Sequence, residues 1–361
     1  MRQRGSSILT TVAALAAAAL LIVIAEGSAQ VPESAGFQMT IAQTTAETPR
    51  NSESDIIALR DGRLLLGWTE FYAGGGADDG AARIVGRISL DGGRSWGEKY
   101  TLVENDGKCN VMEVNFLRLK SGDIALLYLQ KNAEVGVAET PDCRVMLRAS
   151  GDEGRTFGPA KQITGDKRYI ETASGRSLRT RDGRILLECD DLESAFCLLS
   201  DDDGVTWREG QHVKPAGGCW EPAAVELRDG RILMFLRTGL GGQYQTFSQD
   251  GGETWSEPAL SALTGTAAPV SIERIPSTGD LLAVWNHDLG SPRPRNPLTA
   301  AISRDDGATW EHMRDIENAP DDAFTYPSVT FAGDMALVTY FDYKGGISLL
   351  LKGIPVAWFY E

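Results

Sequence analysis

One eight-residue turn, repeated five times, restricts this chain more than any other feature. Residues 89–96 (SLDGGRSW), 150–157 (SGDEGRTF), 200–207 (SDDDGVTW), 248–255 (SQDGGETW) and 303–310 (SRDDGATW) share one template, and their starts lie 61, 50, 48 and 55 residues apart. The template reads as a clasp. An Asp carboxylate caps backbone N–H groups of a tight turn, a Gly supplies the left-handed position, and Ser or Thr adds local hydrogen bonds. The closing aromatic folds back to seal the hairpin. A second signal interleaves with the first. Six short turns, with glycines at 62, 122, 183, 230, 279 and 333, each lead into an apolar run such as residues 182–187 (DGRILL), the pattern of a β-hairpin. Six hairpins, five of them followed by a clasp hairpin, predict six four-stranded units. Their radial closure into a β-propeller removes exposed sheet edges. A β-solenoid would repeat at much shorter intervals, and no helical period of similar length competes.

The first thirty residues differ in kind from the rest. Arg2 and Arg4 precede an uncharged, largely apolar run from Ile8 to Ile24, followed by the small residues Gly27 and Ala29, the pattern of a secretory signal. The run is short for a membrane span of about 20 residues. Residues 1–29 are therefore expected to leave on export. Residues 30–361 are expected to form one domain, closed by a strand or arm from Val31–Thr48. Loss of Arg2, Arg4 and Glu26 takes the formal charge from −15 to −16 (two positive charges and one negative removed). Such a surface disfavours nucleic acid and anionic membranes as partners. The five cysteines (109, 143, 189, 197, 219) and three histidines (212, 287, 312) show no metal-ligand spacing. No metal or cofactor is expected. Cys189 and Cys197 flank the turn 190–195 and could face each other across adjacent strands; the alternative is that the thiols are small buried apolar groups.

Clasps of this sequence resemble those of the sialidase (neuraminidase) superfamily, where they are called Asp-boxes. The whole mature chain fits that all-β, six-bladed plan. The clasp is specific for the fold and says nothing of chemistry, so the family's functional residues have to be sought singly. Residues 220–237 (WEPAAVELRDGRILMFLR) resemble the segment that carries the family's polarising carboxylate and one arginine of its triad, which would be Glu221 and Arg237. Residues 295–299 (RNPLT) resemble the stretch holding a further triad arginine, here Arg295, with Arg293 two residues away as an alternative. The family's Tyr nucleophile opens the sixth-blade strand and maps to Tyr326, with Tyr340 and Tyr343 nearby. Its general acid is a loop Asp before the first clasp, which maps to Asp78 over Asp79 in the glycine-rich loop 74–80.

One position departs from the pattern. Counting back from Gly62 places Ser52 where the family's Arg-Ile-Pro signature donates its first arginine. Arg50 lies two residues off. Asn51, Glu53, Asp55 and Glu70 form a different set of expected pocket groups, and Arg83, Arg87, Lys131, Arg144 and Arg176 are candidates to supply the missing cation. The resemblance is thus to a divergent bacterial branch. It implies an exo-acting hydrolase for terminal α-linked sialic acid or a related acidic sugar, with Tyr326 and Glu221 as nucleophile pair and Asp78 as acid/base. Arg50, Glu53, Asp55, Glu70, Arg83, Arg237 and Arg295 would bind the glycan. Two alternatives stand beside it: a propeller glycosidase or lyase for another sugar, and a carbohydrate-binding propeller without catalysis.

Overall fold

A computed structural model describes residues 36–132, 142–287, 290 and 294–361. The expected signal segment and Arg293 lie outside these residues. A first strand, β1 (Phe37–Ala42), is followed by five successive four-stranded antiparallel sheets. Blade 1 is β2 (Arg50–Ala58), β3 (Leu64–Phe71), β4 (Ala82–Ser89) and β5 (Tyr100–Val103). Blade 2 is β6 (Asn110–Arg118), β7 (Ile124–Lys131), β8 (Cys143–Ser150) and β9 (Lys161–Gln162). Blade 3 is β10 (Ser177–Arg179), β11 (Ile185–Asp190), β12 (Ala195–Ser200) and β13 (Arg208–Glu209). Blade 4 is β14 (Trp220–Glu226), β15 (Ile232–Arg237), β16 (Gly242–Ser248) and β17 (Ala259–Thr264). Blade 5 is β18 (Ser271–Arg274), β19 (Leu281–Trp285), β20 (Leu298–Ser303) and β21 (Glu311–Glu317). The last three strands, β22 (Phe324–Ala332), β23 (Met335–Asp342) and β24 (Ser348–Pro355), complete blade 6 by pairing β24 with β1. The result is a six-bladed β-propeller. The expected closing strand is β1, and it staples the start of the described chain to its end.

Each clasp joins the third and fourth strands of its blade. In the first, Ser95 donates both its N–H (2.8 Å) and its hydroxyl (2.6 Å) to Asp91, and Ser89 Oγ accepts from the Gly93 N–H at 2.8 Å. The Gly is demanded twice over. Gly154 has φ +78°, and a Cβ there would lie 2.4 Å from Leu65 of the neighbouring blade. Clasps also lock blades together: the Arg60 N–H donates to Glu153 of the next blade at 2.9 Å and the Lys120 N–H to Asp203 of the next at 2.8 Å. The core lies between blades, around fully buried Trp68, Trp285 and Trp358, where apolar burial supplies most of the stability.

The structure overturns the pairing of Cys189 with Cys197. Cys189 opposes Phe196 and Cys197 opposes Glu188. Opposed residues share a face and neighbours alternate, so the two thiols project from opposite sides of the sheet into different cores. All five cysteines are free and buried.

Strand direction places the functional groups. Inner strands β2, β6, β14 and β22 begin at one end of the propeller, and the hairpin glycines and clasps lie at the other. Each of these four strands carries a bulge at its beginning, between Ser52 and Ser54, Met112 and Asn115, Trp220 and Ala223, and Thr325 and Ser328. The bulged residues Glu53, Glu113, Glu221 and Tyr326 have φ of 42°, 63°, 44° and 54°. Bulges re-aim side chains, and a non-glycine residue at positive φ persists only where its surroundings enforce it.

Candidate active site

Tyr326 and Glu221 meet at the clasp-free end of the propeller. The Tyr326 hydroxyl donates to Glu221 Oε1 at 2.5 Å. Arg237, ending β15, bonds the other oxygen of Glu221, reaches Tyr326 Oη at 3.3 Å, and donates Nε–H to the Ala267 carbonyl at 3.1 Å. The phenol ring stacks on Phe341, 5.1 Å between centroids, and the Arg295 guanidinium lies 5.5 Å above it. Burial raises the Tyr326 pKa well above 10, and Glu221 raises it further against the pull of Arg237 and Arg295. Tyr326 is therefore a neutral phenol at rest, hydrogen-bonded to its own base. The alternatives fall away on geometry: Tyr340 bonds Glu317, and Tyr343, 40% exposed, accepts from Arg295 at 2.5 Å.

Asp78 stands on the rim with its side chain 67% exposed, on the loop that follows a short 3-10 turn, Gly74–Gly76. Arg50 donates to it at 2.5 Å. Desolvation pushes the Asp78 carboxyl up, but Arg50, Lys131 and Arg295 together outweigh that and hold it below the ordinary value. In the free protein it is a carboxylate.

Arg50 reaches the site, though from two residues before the expected position, and it is fully engaged there. Besides Asp78 it bonds Glu53, Ser52 Oγ at 2.7 Å and the Gly76 carbonyl at 3.3 Å, and it stacks on Phe71. Ser52, in the place of the family's first arginine, donates to Glu53 at 2.5 Å. Most of the other expected groups have partners of their own. Glu70 is bound by Arg83 (2.7 Å) and by Lys99, so it forms an ion cluster with cations of its own blade. Asn51 accepts from Trp68 Nε1 at 3.1 Å. Asp55 ties blade 1 to blade 2 by accepting the Phe116 N–H at 2.8 Å, and lines a cavity of about 310 Å³ further down the axis with Gly175, Ser177, Glu273 and Thr330. Arg144 pairs with Asp142 at 2.5 Å, and Arg87 lies 5.9 Å from the Trp68 ring. Lys131 and Arg176 are buried toward the centre. Burial pushes the Lys131 pKa down, but Cys143, Glu171, Asp78 and Glu113 around it outweigh that and hold it above the ordinary value.

Sequence reasoning missed Glu113, Glu171 and Asp190. A signal for the first was present: Glu53, Glu113 and Glu221 each stand nine residues before a hairpin glycine (62 − 53, 122 − 113, 230 − 221). Tyr326 stands seven before Gly333 because that hairpin is tighter, pairing Ala332 with Met335 across two residues. Burial lifts the carboxyls of Glu113, Glu171 and Asp190 above their ordinary range, and neighbouring carboxylates add to the shift.

A six-bladed propeller with a Tyr–Glu–Arg cluster at the mouth of its axis defines the sialidase-type class. Residues 62–339 match the family model described as a BNR repeat-like domain, and the chain belongs to this family, within the sialidase superfamily. It is similar to the sialidase of Micromonospora viridifaciens, 26% identical over 294 residues, covering 72% of this chain and 43% of that protein. The chain thus spans less than half the length of this relative. Among solved structures, the Hadza microbial sialidase Hz136 superposes with a TM-score of 0.76 at 18% identity, over 89% of this chain and 68% of that one. Trypanosoma rangeli sialidase, in complex with 2,3-difluorosialic acid as a covalent intermediate, gives 0.73 at 16% identity, over 90% and 60%. These structures share the fold.

Proposed function

We propose that the protein is an exported glycoside hydrolase that releases a terminal α-linked acidic sugar, sialic acid or a relative of it, through a covalent intermediate on Tyr326. The observation that carries this reading is the 2.5 Å hydrogen bond from the Tyr326 phenol to Glu221, with Arg237 bridging both. A sugar with a carboxylate on its anomeric carbon repels an anionic nucleophile, and a phenol avoids that repulsion; sialidases are the Tyr-nucleophile exception among glycosidases. Glu221 takes the phenol proton as Tyr326 Oη attacks the anomeric carbon. Asp78, in its acid form, protonates the departing glycosidic oxygen. In the second half Asp78 removes a proton from water, the water oxygen attacks the anomeric carbon, the bond to Tyr326 breaks, and Glu221 returns the proton to the phenolate. Arg237 and Arg295 hold the substrate carboxylate by charge-assisted hydrogen bonds. The N-terminal segment would direct export.

The test is Tyr326→Phe. The ring keeps its place between Phe341 and Arg295, so release of 4-methylumbelliferone from its α-sialoside should fall by about 10³-fold or more, while sugar binding persists. Full activity in this variant refutes the Tyr mechanism. Absence of release by the wild type from any α-sialoside refutes sialic acid as the sugar.

A further inference from the structure

Glu221 stands where its own backbone has least reason to stay. It precedes Pro222, which pushes the residue before it toward extended backbone, yet it holds φ 44°. The bulge between Trp220 and Ala223 takes Glu221 and Pro222 out of the β14–β15 register. Proline has no N–H, so the Glu221 N–H is the one backbone donor this bulge offers. A side chain of the preceding blade takes it: Asp190, the last residue of β11, accepts it through Oδ2 at 2.8 Å. The Oδ1 atom of Asp190 accepts the Leu192 N–H at 3.0 Å, and the Asp190 backbone exchanges two 2.9 Å hydrogen bonds with Glu171. Asp190 is wholly buried. Neutral groups make the equivalent grip in other blades. Thr69 Oγ1 on β3 accepts the Glu113 N–H at 3.0 Å, and Asn286, just past β19, donates at 2.8 Å to the carbonyl of Phe324, two residues before Tyr326. Each grip runs from the second strand of one blade to the bulged strand of the next, and of these three only the one behind Glu221 is a carboxyl. A buried carboxyl costs more than a buried hydroxyl or amide, and here it ties two N–H groups at once where Thr69 ties one.

We infer that Asp190 is a positioning residue of the reaction: by holding the Glu221 backbone at positive φ, it keeps the Glu221 carboxylate on the Tyr326 phenol. A non-glycine residue keeps such a conformation only where its surroundings enforce it, and Asp190 is that enforcement. This rests on the reading of Tyr326 and Glu221 as the nucleophile pair. Asp190→Ala removes the grip and leaves Tyr326, Arg237 and Arg295 unchanged. With a 4-methylumbelliferyl α-sialoside, kcat should fall by roughly 10- to 100-fold, the effect of displacing a reacting group by about 1 Å, while KM stays within about threefold of wild type. Asp190→Thr puts the Thr69 arrangement behind Glu221 and should recover kcat to within about threefold of wild type, a rescue that a general loss of stability would not show. The crystal structure of the Ala variant should show Glu221 out of the left-handed region and its carboxylate more than about 3.5 Å from Tyr326 Oη, beyond hydrogen-bond reach. Asp190→Asn carries the test if the Ala variant does not fold: it has one acceptor oxygen for two N–H groups, and a loss in kcat of about tenfold is expected. A kcat within about twofold of wild type in the Ala or Asn variant overturns the inference. So does a Thr variant no better than Ala, a loss carried by KM alone, or a Glu221 that keeps its φ and its bond to Tyr326 in the Ala crystal. If the wild type turns over no α-sialoside, the sialidase reading fails by itself, and the crystal comparison alone decides whether Asp190 holds Glu221.

Discussion

Arg50→Met should unfold the first blade's contribution to the pocket more severely than any change at the exposed rim. Arg50 is only 9% exposed, and its counter-ion Glu53 has a side chain 1% exposed. Met keeps the stem's packing on Phe71 but leaves Glu53 with Ser52 as its one described partner. Breaking a buried pair from one side costs about 3–5 kcal/mol. The lost contact to Asp78, 67% exposed in its side chain, adds less than about 1 kcal/mol because water replaces it. Glu53→Gln alone should cost about 2 kcal/mol, since Arg50 retains Asp78, Ser52 and the Gly76 carbonyl. The double variant removes both charges, so it should be more stable than the sum of the singles implies, by about 2 kcal/mol. Urea unfolding of all four proteins, followed by tryptophan fluorescence, closes the cycle. Additivity within about 0.5 kcal/mol would refute the argument that the pair is a coupled buried unit.

Two further outcomes follow from titrating groups. The free protein holds Asp78 below the ordinary carboxylate range, and the proposed first step needs its acid form. The value of kcat/KM should therefore be greatest at acidic pH and fall about tenfold per unit through pH 5–8; a profile rising through that window would contradict Asp78 as the acid. Glu273 is pushed up to about 8, first by burial and then by Asp55. Its folded pKa exceeds its unfolded value, so the folded state binds more protons between, and the stability present below about pH 4 is lost as pH rises toward 8. Glu273→Gln should flatten this decline and stabilise the protein at pH 8 by about 1–3 kcal/mol, allowing for partial exposure. Equal urea midpoints for variant and wild type at pH 8 would refute it.

Much of the site was legible because the family's residues stand at fixed offsets from the hairpin turns. Glu221, Arg237 and Tyr326 converge although 105 residues separate the first from the last. The pairing of Glu70 with Arg83 was not legible because alternation along a strand tells which face a residue takes, not which neighbour will neutralise it. Here Arg83 opposes Glu70 directly in the β3–β4 register. Cys189 and Cys197 were misread for a related reason. Their symmetric spacing around a turn looks like opposition, but the register pairs each with another residue. Glu113 went unnoticed because a bulged residue is ordinary in sequence; only its positive φ turns it toward the axis.

The five clasps, read together with the six hairpin glycines, determined the architecture and the blade count, because Asp, Gly, Ser or Thr and an aromatic at fixed spacing satisfy a turn locally, wherever the rest of the chain goes. Only the tertiary structure decided how charge is distributed in the pocket. Whether Arg50 is free for a ligand depends on Glu53 beside it in sequence and on Asp78 across a loop, and electrostatic pairing is settled by distances and burial that no local pattern encodes.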